Sequence, residues 1–272
     1  MASPRTPAYL PPEIDATKAT LAFGLRQIPK LREELQSPPD LVTLQRALRS
    51  LHDISFSIMR VNALIDAEVP DALISLLNHS DDTVRTLVTA IFETLSVHVT
   101  ARQEFLKVGT AAIMITKFDD SVSRVRTSAY NTVLNLCSSI PGVQAIIDCS
   151  MVPILVTNLA AESEDIQLII LDILHCCSPV NGQLTLSCGG LQTALSLMGS
   201  GSLPALRAKA TRTVMELCNS AEGKVKACDE VTLIPRLVEL LGDNESDVRT
   251  AAAGALMVIV VTTRGKFCVL EA

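Results

Sequence analysis

The residues best equipped for chemistry stand together at His175-Cys176-Cys177, an imidazole beside two thiols. Such groups hold zinc when two ligand pairs converge at turn spacing, as in C-x-x-C, and the chain has no such pair. Cys177 falls on a position where equivalent segments carry Leu, so it reads as a small hydrophobic core residue. Cys137 and Cys218 follow Leu136 and Leu217 and read as packing in the same way. A catalytic Cys–His pair would have to be assembled across the fold, because no Cys has an activating neighbour in sequence. Gly199-Ser-Gly201 shares composition with a phosphate loop, but it follows helical sequence and no GKS or GxGxxG completes it, which makes it a turn. Arg85, Arg126, Arg207 and Arg249 form either a basic stripe for an acidic partner or a structural ladder to Asp82, Asp120, Glu164 and Asp247, and helical reach favours the ladder. With no motif complete, the chain is expected to be no enzyme and to need neither cofactor nor metal.

What positions these residues is a repeat. Val84-Arg85 returns as Val125-Arg126, Ile166-Gln167, Leu206-Arg207 and Val248-Arg249, with a weaker copy at Leu44-Gln45. Intervals of 40, 41, 41, 40 and 42 residues identify a stacked repeat protein, whose long surfaces suit holding partners better than transforming substrates. With the Val84 position as column zero, four residues on come Leu48, Val88, Ala129, Ile170, Ala210 and Ala252, and eleven on Ser55, Leu95, Leu136, Cys177, Leu217 and Ile259. That spacing is one apolar stripe along a helix of about three turns. Four residues before column zero stand Asp40, Ser80, Ser121, Glu162, Ser202 and Asn244, which predicts an N-cap there, with Ser163 as substitute for Glu162. Upstream, Pro29, Pro70, Pro153 and Pro235 open a second helix, where a missing N–H costs little. A short first helix precedes it, ending at Gly109 in one copy.

Three helices per unit resemble an armadillo repeat; the two-helix HEAT unit is the nearest alternative. The expected fold is all-α, an armadillo-type α-solenoid wound as a right-handed superhelix of three-helix repeats. Six repeats are expected at about 21–57, 58–97, 98–139, 140–179, 180–220 and 221–263, and residues 264–272 open a seventh. The organisation is then an extended Pro-rich arm over 1–20 followed by an array over 21–272. The repeat at 180–220, rich in Gly, is the expected place of distortion.

The bulk numbers fit this reading. Hydrophobic residues make up 48% of the chain and aromatics 3%, with no Trp, so the core is filled by Leu, Ile, Val and Ala. A net charge of −6, from 23 basic and 29 acidic side chains, argues against a nucleic-acid partner. The apolar run at 251–261 is too short to cross a bilayer and reads as a buried repeat helix, and no secretory signal or myristoylation site is apparent. A cytoplasmic chain with eight free Cys is expected.

Import receptors of armadillo type clamp basic peptides with Trp and Asn ladders on the concave face. The matching columns here, six and ten after column zero, hold no Trp and only Asn135 of the Asn ladder, so that function is not indicated. Asn131, Asn135, Asp172, Arg212 and Glu216 in these columns are the candidate partner-binding residues. On the arm, Tyr9, Leu10 and Ile14 are candidate anchors for another protein.

Two stretches go beyond the generic repeat. Leu10-Pro-Pro-Glu-Ile-Asp-Ala-Thr-Lys-Ala-Thr-Leu-Ala-Phe-Gly24 with its continuation to Leu35, and Asp247-Val-Arg-Thr-Ala-Ala-Ala-Gly-Ala-Leu256 followed by Thr262-Thr-Arg-Gly-Lys-Phe267, resemble the radial spoke head fourteen homologue family. The resemblance implies a scaffold subunit in the axoneme of motile cilia and flagella, part of the cytoskeleton. Its partners would be other radial spoke subunits, with neither nucleic acid nor membrane, and a neighbouring subunit would cap the last repeat. The alternative is a soluble cytosolic armadillo adaptor that binds extended peptides in ubiquitin transfer or trafficking.

Overall fold

The computed structural model describes residues 24–272. The expected arm, 1–20, with Tyr9, Leu10 and Ile14, lies outside the described residues. Among the described residues there is no strand, and after a 3-10 turn at Gly24–Arg26 the chain is a succession of α-helices. It forms two compact parts, one ending at Val88 and one spanning Thr89–Ala272.

In the N-terminal part, α1 (Gln27–Gln36) and α2 (Leu41–Ser55) close one repeat, and α3 (Ile58–Asp66), α4 (Val69–Leu76) and the start of α5 (Asp82–Ser96) form the next. The C-terminal part continues with α6 (Val99–Lys107), α7 (Thr110–Ile115) and α8 (Ser123–Leu136), then α9 (Ile140–Asp148), α10 (Met151–Leu159) and α11 (Glu164–Ser187). There follow α12 (Gly190–Ser196) and α13 (Pro204–Leu217), then α14 (Ala221–Asp229), α15 (Leu233–Leu240) and α16 (Ser246–Ile259). The last helix, α17 (Thr263–Leu270), occupies the expected first helix of a seventh repeat. Three-helix units therefore occur at the period read from the sequence.

The apolar stripe makes these helices stack. Every residue of column zero and of the columns four and eleven later is buried, from Leu44, Leu48 and Ser55 to Val248, Ala252 and Ile259. In the C-terminal part this face packs α8 on α11, α11 on α13 and α13 on α16. Burying a Leu or Ile of this kind contributes roughly 2 kcal/mol, so the repeated column, summed over copies, dominates the stability of the stack. The run at 251–261 is largely α16, with Ala251, Ala252, Ala255, Leu256 and Ile259 buried. Among the described residues no single helix is long and apolar enough to cross a membrane.

Each Pro sits in the first turn of its helix, α1, α4, α10 or α15, where backbone N–H groups have no helical acceptor. In the second to fifth repeats the first and second helices meet at a left-handed residue: Glu68 (φ 52°), Gly109 (φ 71°), Ser150 (φ 58°) or Gly189 (φ 85°). Glycine adopts this conformation freely, whereas Glu68 and Ser150 do so against a steric penalty.

A second use of glycine lies at the third residue of α9, α14 and α17. A Cβ on Gly142, Gly223 or Gly265 would stand 1.9, 1.9 or 2.1 Å from the carbonyl oxygen of Leu136, Leu217 or Ile259 at the end of the preceding helix. The same three amides donate to the hydroxyls of Ser139, Ser220 and Thr262 at 3.3, 2.9 and 3.0 Å. A hydroxyl cap and a hydrogen side chain, three residues apart, thus seat the first helix against its predecessor.

Two expectations need correction. The predicted cap column holds at Asp40, whose carboxylate accepts from the Thr43 amide at 2.7 Å, and the expected substitute Ser163 does precede α11, without a side-chain cap bond. In the five later repeats the third helix starts one residue further on, after Asp81, Val122, Ser163, Leu203 or Glu245. Asp81 caps α5 by accepting from Val84, while Asp120 and Asp243 accept from Val122 and Glu245 within the loop. Ser80, Ser121, Ser202 and Asn244 therefore belong to the turn, because an Asx-type loop bond has taken over part of the capping task. The other concerns the form of the boundary at 179–180, where a kink stands in place of a loop. The third helix of the fourth repeat and the first helix of the fifth meet within α11 at Asn181, which is not helical (φ −153°, ψ 60°) and follows Pro179 by two residues. The Asn181 side chain accepts from the Leu184 amide at 3.2 Å and restarts the helix without an intervening loop. The distortion expected in the 180–220 repeat takes this form.

Candidate functional site

The candidate side chains sit on the third helices, and in the C-terminal part they fall into three groups. The first surrounds Glu93 near the end of α5. Its carboxylate accepts from Ser128 Oγ at 2.7 Å and Asn131 Nδ2 at 2.8 Å, and pairs with Arg124 at 3.4 Å. Asn135 Nδ2 donates to Ser96 Oγ at 2.9 Å and to the Glu93 carbonyl at 3.3 Å. Asn131 and Asn135 are thus brought together, but their amide donors are engaged in joining α8 to α5.

The second group lines a cavity of about 90 Å³ between α11 and α13, formed by Leu171, Asp172, His175, Lys209, Arg212 and Thr213. Lys209 Nζ pairs with Asp172 at 2.5 Å and reaches the Leu168 carbonyl at 3.5 Å. Asp172 and Arg212, predicted from the columns, do share a site. Glu216 does not join them: it accepts from Asn219 Nδ2 at 3.1 Å and lines a separate polar cavity of about 320 Å³ with Ser178, Gln183 and Ser220.

The third group is the thiols. Cys137 and Cys177 are buried and Cys176 is half-buried, consistent with packing. Hydrogen bonding from Cys137 lowers Cys176 to about 7 against the opposing effects of burial and Asp172. The reciprocal contact with Cys176, then Cys177 and burial, pushes Cys137 up. All eight Cys are free, and among the described residues no group of three or more His, Cys, Asp or Glu is placed to hold a metal ion.

The arginine column is structural, though with partners other than those predicted. Arg126 Nε and Nη2 grip the Glu162 carboxylate at 2.8 and 3.1 Å, and Arg207 grips Asp243 at 2.9 and 3.0 Å, each partner lying 36 residues on in the next repeat. The remaining guanidinium nitrogen closes the helix's own loop, on the carbonyl of Asp120, Ser202 or, for Arg249, Asp243. Arg85 binds the His79 carbonyl and Asp82 in the same manner, so that here a predicted acid does supply its carboxylate. Fork-shaped pairs of this kind fix register as well as adding energy.

Sequence reasoning missed Glu93 and Lys209, and it read His175 with the neighbouring thiols and not with Asp172 and Arg212. Each lies three residues from the column that was read, Glu93 and His175 at nine after column zero and Lys209 at three. Neighbours at that spacing share a helix face, so widening the reading to those columns would have found them.

A HEAT repeat family model matches residues 233–261, which span α15 and α16, the last two helices of the sixth repeat. The solved structures that resemble the chain include computationally designed armadillo repeat proteins for modular peptide recognition, at 21% identity and a TM-score of 0.77, covering 85% of this chain and 99% of that one. Another designed armadillo repeat protein aligns at 20% identity with a TM-score of 0.74, again over 85% and 99%. A third, solved in complex with the peptide (KR)4, aligns at 21% identity with a TM-score of 0.76 over 86% and 99%. At these identities the likeness shows the fold, an armadillo-type solenoid, and the short helix α14 before the matched pair gives that repeat its third element.

Proposed function

We propose that the chain is a non-enzymatic scaffold subunit of the axonemal radial spoke in motile cilia and flagella, holding other spoke proteins through its helix faces and its N-terminal arm. The binding role is carried by the third-helix face, where polar side chains are spent on tying one helix to the next and present a preformed surface. A repeat solenoid suits protein or peptide partners, and the designed relative that holds (KR)4 is one instance of this fold doing so. The spoke assignment rests on the stretches at 10–24, 247–256 and 262–267. Met257, Val261, Phe267 and Leu270, exposed on and around α16 and α17, are apolar side chains that a neighbouring spoke subunit would cover.

The test is fractionation of ciliated cells carrying a tagged chain. The tag is expected to stay with detergent-extracted axonemes and to crosslink to spoke subunits in purified spokes. A tag released wholly into the detergent-soluble fraction overturns the spoke assignment and returns the chain to the soluble adaptor reading.

A further inference from the structure

We propose that the cavity between α11 and α13 receives a carboxylate side chain from an acidic segment of the protein partner. The inference rests on the reading of the chain as a binding scaffold and names the charge that its partner carries. Around the cavity one acid, Asp172, faces the basic side chains Lys209 and Arg212 and the imidazole of His175. Lys209 is already neutralised by Asp172 at 2.5 Å. Arg212 is exposed and has no hydrogen-bond or ion-pair partner among the described residues. One positive charge is therefore left facing the cavity.

Shape and neighbours select the ligand. A planar guanidinium matches a carboxylate in two parallel hydrogen bonds, a geometry that an ammonium ligand has no way to use. The volume of about 90 Å³ equals roughly three waters' share of the liquid, enough for a carboxylate and its nearest methylene. A basic peptide finds no comparable seat. Glu93 is held by Arg124, Ser128 and Asn131 and Asp172 by Lys209, so these two acids are engaged while Arg212 repels a cation. The face thus favours the opposite charge from the (KR)4 peptide held by the designed relative.

Fluorescence anisotropy on the full chain, with labelled Glu-Ala and Lys-Ala repeat peptides of equal length, tests the inference. The acidic peptide is expected to bind more tightly than the basic one, and Arg212→Glu to weaken it about tenfold, an effect that shrinks as salt screens the pair. Arg212→Lys, which keeps the charge without the fork, is expected to lie between. Equal binding of the acidic peptide to wild type and Arg212→Glu, tighter binding of the basic peptide, or binding of neither overturns the proposal. In each of those cases the axonemal fractionation still decides the spoke assignment separately, since the Arg212→Glu chain is then expected to sediment with axonemes like wild type.

Discussion

Gly223→Ala measures how tightly the first helix of a repeat is seated. An ideal Cβ there stands 1.9 Å from the Leu217 carbonyl oxygen, 2.7 Å from its carbon and 2.9 Å from Ser220 Oγ. Real Cβ contacts essentially never fall below 3.0 Å, so α14 must move by about 1.1 Å, the difference between 3.0 and 1.9. The obstacle is backbone at a helix end and has no rotamer by which to step aside. Moving α14 loosens the packing of buried Ala227 and the bond from the Gly223 amide to Ser220. Overpacking costs about 1–3 kcal/mol, here about 2, and a weakened cap about 1 more, while Ala in place of Gly returns about 1 kcal/mol of helix propensity. The expected net loss is about 2 kcal/mol. Because a repeat answers mainly to its neighbours, the loss is to appear locally, as roughly 30-fold faster hydrogen exchange in α14 and α15. Gly199→Ala, at a position with no atom within 4 Å of the added carbon, is the control. If Gly223→Ala exchanges no faster than Gly199→Ala, the close-approach argument is wrong.

Three further outcomes are expected. The Asp243 carboxyl is held below its ordinary value of 3.8, first by Arg207 and then by the Glu245 amide. Its folded-state pKa being depressed, the stability it contributes is complete above the ordinary value and is lost as pH falls through the lowered one. Urea titrations of wild type and Asp243→Asn should differ by on the order of 1 kcal/mol near neutrality and converge in strong acid, and a gap that persists in acid would contradict this. Ser150→Gly, which relieves a left-handed serine at φ 58°, is expected to stabilise the chain by about 0.5–1 kcal/mol, read as a raised urea midpoint. Iodoacetamide mapping across pH should find Cys176 half-reactive near 7, and Cys137→Ala should move that midpoint upward by removing the hydrogen bond that lowers it.

The repeat period, the three helices of each unit and the buried columns were legible in the sequence because stacking imposes the same apolar stripe on every copy. Pro in the first turn of the middle helix was legible for a similar reason, since it reflects a local backbone constraint. Polar partners were not. Glu162 and Asp243, the carboxylates that Arg126 and Arg207 grip, lie 36 residues on, and which acid is reached depends on the register between neighbouring repeats. The cap column slipped by one residue because Asp120 and Asp243 bond within the loop, a choice that side-chain type alone leaves open. The seating motif did leave a trace, as Ser139 with Gly142, Ser220 with Gly223 and Thr262 with Gly265 recur at one spacing. Its meaning depends on how closely a carbonyl from the previous helix approaches.

The kink inside α11 bears on how such an array can be rearranged. Boundaries between repeats offer a capped break where a chain can be cut and rejoined, as at Ser139, Ser220 and Thr262. Asn181, non-helical and accepting from the Leu184 amide, supplies the same kind of break between the fourth and fifth repeats. Duplication, deletion or grafting would then exchange these repeats singly, so that the transferable module keeps the length of one period.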